Sequence, residues 1–109
     1  MKDDRLYLIH ITECIERIEF YVGQMDKEEF MSSTLVQDAV LRNLQTMAES
    51  TQRLSEQIKE NQSEIDWFKV AGFRNILVHD YLGVDVETIW NIVEKELPAL
   101  KNAVCTMMG

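Results

Sequence analysis

Apolar residues recur every three or four positions along almost the whole of this chain, and that spacing suits helices and little else. Leu8, Ile11, Ile15, Ile18 and Val22 make a first stripe. Val40, Leu44, Met47, Thr51, Leu54 and Ile58 make a second, predicting a helix that starts near Ser33 or Thr34 and runs to Ile58. Val86, Ile89, Val93, Leu97, Leu100 and Val104 make a third. Each stripe has the period that lines one face of an α-helix. No segment shows the strict alternation of a half-buried strand. The expected fold is an all-α bundle.

Punctuation agrees with the stripes. Gly23 is a stop for the first helix. Asp26 with Glu29 three residues on forms a capping box that opens a short turn to Met31. Asp38 and Arg42 are spaced as an i,i+4 ion pair on the polar side of the second helix. Ser63 and Asp66 cap a third helix, which Gly83 ends or follows. Asp85 is an N-cap for the last helix. Pro98 must kink or restart that helix, because it has no N–H to bond back to Glu94.

The 109 residues suit one domain, residues 1–109. No apolar run approaches the roughly 20 residues of a membrane span. MKDDRLYLIH carries acids where a signal peptide would be basic and then apolar. Cys14 and Cys105 lie far apart and read as buried thiols of a cytoplasmic protein. Met25, Met31 and Met47 read as core filler, Met107 and Met108 as a frayed tail. His10 and Cys14 have ligand spacing, but with no further His/Cys cluster they make no zinc site. No metal or cofactor is expected. The net charge of −8 argues against broad nucleic-acid binding, which needs a basic face, but leaves room for a local positive site.

One stretch departs from an ordinary helical protein: RNILVHDY, residues 74 to 81. On an α-helical wheel, Trp67, Val70, Ala71, Leu77, Val78 and Tyr81 fall within about 60° of Arg74. That places a guanidinium inside an apolar stripe. Such an arginine either snorkels or pairs internally, or is held in a cleft to grip a phosphate. His79 is a structural imidazole or a proton carrier, and it converges with Arg74 only if the helix ends there or a second subunit contributes. Tyr81 is a core aromatic with its hydroxyl outside, or a phenol beside the arginine. Asn75 and Asp80 could orient the imidazole or cap the helix end.

R-x4-H-x-Y, read as Arg74, His79 and Tyr81, resembles the signature of HepT-like proteins in the HEPN superfamily. LVQDAVLRNLQTM and WFKVAGFRNILVHDYLGVDVETIW…LPAL are similar to the two most recognisable blocks of that family. The resemblance implies an antiparallel bundle of four to five helices that dimerises with its motifs facing across the interface. It implies a metal-independent ribonuclease, the toxin of a toxin–antitoxin pair whose antitoxin is an MNT-type minimal nucleotidyltransferase. It makes Arg74 and His79 catalytic and Tyr81 the site of AMPylation. Asn75, Asp80 and Asp38 are supporting candidates to which it gives no role.

The chemistry fits. RNA is cut without metal when a base takes the 2′-OH proton, an acid protonates the 5′-oxygen and a cation holds the phosphorane. Histidine serves either proton role near neutral pH, and arginine supplies fixed charge. A symmetric dimer supplies two histidines from one sequence. The competing reading is a catalytically silent HEPN module that docks a nucleotidyltransferase. It too needs the arginine, but not the histidine. A purely structural adaptor leaves Arg74 unexplained.

Overall fold

The computed structural model describes residues 4–76 and 86–109. His79, Asp80, Tyr81, Gly83 and Asp85 lie outside the described residues.

The first stripe folds as α1, Asp4–Val22, burying Leu8, Ile11, Ile15, Ile18 and Val22 together with Cys14. Gly23 ends it at φ +53°, where a Cβ would be strained. The Asp26–Glu29 capping box forms in full and starts α2, Lys27–Met31, whose Phe30 is wholly buried. Phe30 packs against Trp90 with ring centroids 5.2 Å apart.

Ser33 caps α3, Thr34–Gln52, which lies antiparallel to α1. His10 meets Ser50 and Asp4 meets Ser55, so the two helices run in opposite senses. Contrary to the expectation of one helix reaching Ile58, α3 ends at Gln52 and α4, Glu56–Glu60, begins anew. The Asp4 carboxylate accepts from both the backbone N–H and the hydroxyl of Ser55, fixing this N-cap from across the bundle. Leu54 and Ile58 stay in phase with the stripe and still face the core, but across a break.

Asp66, without Ser63, caps α5, Trp67–Ala71, by accepting from Lys69 N–H. The chain then tightens into a 3-10 turn, Gly72–Asn75. The last stripe folds as α6, Val86–Asn91, a π turn, Ile92–Glu96, and α7, Leu97–Met108. Pro98 sits in the first turn of α7, where a missing N–H costs nothing, so the helix restarts there. The N–H of Leu97 bonds to Ile92 O across the wider turn that this restart requires.

Helix faces from α1, α3, α6 and α7 enclose one core. No buried side-chain nitrogen or oxygen among the described residues lacks a hydrogen-bond partner. No described helix is long and apolar enough to cross a membrane. Three further expectations fail in detail. Cys105 is exposed rather than buried, and Met31 is 43% exposed rather than filling the core. Met107 and Met108 pack on the core, where Met108 Sδ receives the Thr12 hydroxyl at 3.6 Å.

Candidate functional site

Arg74 stands on the 3-10 turn, not on an α-helix, and this changes its direction. In the segment from α5 to the turn, Val70 and Phe73 are buried, and Trp67 and Ile76 are partly buried against the core. Their spacing of three is that of a 3-10 helix, which turns about 120° per residue. Phe73 therefore takes the inward position, and Arg74 is carried out of the apolar stripe. Its side chain is 46% exposed. The expected guanidinium in the middle of the stripe is corrected to one at the stripe's outer edge.

Three residues of α3 hold it there. Gln45 Nε2 donates to the Arg74 carbonyl at 3.1 Å, fixing the backbone. Arg74 Nη1 donates to Gln52 Oε1 at 3.1 Å, and Nη2 lies 3.9 Å from Glu49 Oε2. At that distance and exposure the carboxylate is a weak partner. Gln45, Glu49 and Gln52 sit at i, i+4 and i+7, so one face of α3 supplies all three contacts. Sequence reading did not single them out, although the polar stripe is visible once a partner for Arg74 is sought.

Asn75 is exposed on the same turn. Asp38 is exposed on α3, seven residues before Gln45 and so about 10 Å along the axis. It is not among the contacts of Arg74, nor does it form an ion pair with Arg42. Where His79, Asp80 and Tyr81 stand relative to Arg74 lies outside the described residues. Among the described residues, no group of three or more His, Cys, Asp or Glu side chains could hold a metal ion.

A second polar cluster lies beside this one. His10 Nδ1 and Ser50 Oγ share a hydrogen bond at 2.6 Å, and His10 Nε2 is 3.9 Å from Cys14 Sγ. Burial is the main cause that pushes the Cys14 thiol up, partly opposed by Arg17. The thiol is therefore a poor nucleophile.

The family described as "Ribonuclease HepT-like" matches residues 11–107, which include Arg74 and run from within α1 to within α7. The chain belongs to this HepT-like family. It is 36% identical over 107 residues to a "Gamma-glutamylcyclotransferase and putative RNase" of Methanocaldococcus jannaschii, covering 98% of this chain and 48% of that protein. The chain thus spans about half the length of that relative. It is 33% identical to a "Putative RNase" of Caldanaerobacter subterraneus subsp. tengcongensis, covering 95% of this chain and 93% of that one. It is 36% identical over 95 residues to a "Probable ribonuclease HepT" of Thermococcus cleftensis, covering 87% and 86% of the two chains. No solved structure matches significantly. As a HepT-like chain with an all-helical fold, it carries the motif arginine on an exposed turn braced by α3.

Proposed function

We propose that this HepT-like protein is a metal-independent ribonuclease. One observation carries the reading: the Arg74 guanidinium is half-exposed and braced by a neutral amide, with the nearest carboxylate among the described residues at 3.9 Å. An incoming phosphate diester offers it a stronger, charge-assisted partner than either. The names of the relatives support RNA as the phosphate's source.

In the reaction, Arg74 holds the scissile phosphate and stabilises the charge that develops on it. One His79 takes the 2′-OH proton, and the 2′-oxygen attacks phosphorus. A second His79 gives a proton to the departing 5′-oxygen, leaving a 2′,3′-cyclic phosphate. A homodimer that brings two motifs to one cleft supplies both imidazoles. Two arginines in that cleft also offset the overall charge of −8 locally. In this reading the protein is a cytoplasmic toxin. An MNT-type nucleotidyltransferase neutralises it by placing AMP on Tyr81.

The test is cleavage of end-labelled RNA in excess EDTA by the parent and by His79→Ala. The parent is expected to cut, and the variant to lose about 10²–10⁴ in rate, as for a lost general acid or base. Activity that vanishes with chelation and returns with added metal would sink the metal-independent mechanism. Parent-like cutting by the variant would sink the role of His79.

A further inference from the structure

Between α1 and α3 lies an open groove of about 500 Å³. Leu6, Tyr7 and Ile9 line its α1 side, with Leu6 59% and Ile9 38% exposed. The hydrogen-bonded pair of His10 and Ser50 also lines it. Arg53, Glu13 and Glu49 stand on its walls as well. We propose that this groove is a subsite for one base of single-stranded RNA, seating the nucleotide next to the phosphate that Arg74 holds, with guanine the base it fits best. The proposal rests on the ribonuclease reading above and adds a site to it.

The last turns of α3 face two ways. Glu49 and Gln52 reach Arg74, while Glu49, Ser50 and Arg53 line the groove. Glu49 is thus a wall shared by the two sites, so a strand whose phosphate lies on Arg74 has this groove as its neighbour. Arg53, exposed at the groove's edge, offers a second cation to the backbone of the same strand.

Unpaired RNA bases are recognised by aromatic or apolar surfaces under the ring and by hydrogen bonds at the base edge. Tyr7, Leu6 and Ile9 provide the surface. Ser50 is 6% exposed, and its hydroxyl is fixed by His10, whose ring Cys14 flanks on the other side. Fixed polar groups of this kind discriminate well, because a mismatched ligand leaves them unpaired. The volume falls in the range of small-ligand clefts, about 300–1,000 Å³.

The two carboxylates select among bases. A carboxylate only accepts hydrogen bonds. Guanine presents two adjacent donors, N1–H and its exocyclic amino group, which one carboxylate can take together. Uracil offers a single edge donor, and adenine and cytosine offer an amino group with no N–H beside it. Glu13 and Glu49, costly neighbours for a phosphate, are suited to a guanine edge.

The test titrates GMP, AMP, CMP and UMP into the full chain while NMR follows the His10 ring and the methyls of Leu6 and Ile9. GMP is expected to shift these signals and to half-saturate at a concentration roughly ten-fold below UMP, as for one additional satisfied hydrogen bond. Arg53→Gln and His10→Gln are each expected to weaken GMP several-fold with helix content unchanged. The exposed Arg53 keeps the test valid should His10→Gln fail to fold. Parallel assays cut oligoribonucleotides that carry each base beside the scissile bond. GMP in the groove of a chain that cuts no RNA supports the subsite and sinks the ribonuclease reading alone. RNA cut without base preference, and without shifts at His10, sinks the subsite alone. Loss of the Leu6 and Ile9 signals to self-association, with all nucleotides excluded, assigns the groove to a second copy and overturns the proposal.

Discussion

Arg74 and Gln52 are joined by a single hydrogen bond of 3.1 Å, from a 3-10 turn to the last residue of α3. A neutral amide orients the guanidinium without neutralising it. Arg74→Ala is therefore expected to lower RNA cleavage by about 10²–10³, the scale of losing a group that stabilises transition-state charge. Its melting temperature should barely move, since exposed pairs contribute about 0.2–1 kcal/mol. Gln52→Ala should cost cleavage far less, chiefly as a higher KM, because the charge remains but its direction loosens. Equal losses in kcat for the two variants would mean that Gln52 touches substrate itself.

Asp66 acts on the same arginine from further away. Its carboxylate accepts from Lys69 N–H and starts the short helix that leads to the turn. Asp66→Ala is expected to destabilise the fold by about 1 kcal/mol, the usual cost of losing an N-cap. Asp66→Asn, which can still cap, should restore most of both stability and cleavage. Thermal unfolding beside initial rates on one RNA separates the outcomes. If Asp66→Ala unfolds like the parent, the cap does not hold this segment.

Tyr81 carries the regulatory prediction. On the proposed reading, AMP on its phenol, seven residues along the chain from Arg74, adds a negative diester and a nucleotide that compete with RNA for the guanidinium. Tyr81→Phe should keep its helix content and resist silencing by an MNT-type nucleotidyltransferase with ATP. Intact-mass spectra should show AMP, about 329 Da per group from its covalent formula, on the parent and none on the variant. AMP mapped to Tyr7 or Tyr21 would overturn the assignment.

The thiols give a check on the fold that is independent of activity. Cys105 is exposed, while Cys14 is buried and its thiol is pushed up by that burial. A raised thiol stays protonated, and so unreactive, through neutral pH. A thiol-specific reagent at pH 7 should titrate one group quickly, and a second only with unfolding. Two fast equivalents in the native protein would contradict the packing of α1 on α3.

Much of this fold is visible in local patterns, because those patterns act locally. The Asp26–Glu29 box, the stop at Gly23 and the restart at Pro98 each depend on residues within one turn. The end of α3 does not. Leu54 and Ile58 continue its periodicity, and the break is set by Asp4, which meets Ser55 from 51 residues away. The α-helical wheel misplaces Arg74 for a related reason. Trp67, Val70, Phe73 and Ile76 fit a period of three, which the wheel's 100° per residue does not follow. Glu49, Gln52 and Ser50 look like any polar residues of an exposed helix face. Their roles come from what packs beside them.

The 3-10 geometry under Arg74 also limits how this segment can change length over time. Phe73 and Arg74 are neighbours that point one inward and one outward, in a turn that rotates about 120° per residue. Inserting or deleting a single residue between Asp66 and Arg74 would swing the guanidinium off α3 and push a polar group toward the core. A change of three residues would keep its bearing, but move it a full turn along the axis, away from Gln45 and Gln52. Loop-length variation among chains built this way should therefore collect elsewhere, leaving the count from cap to arginine unchanged.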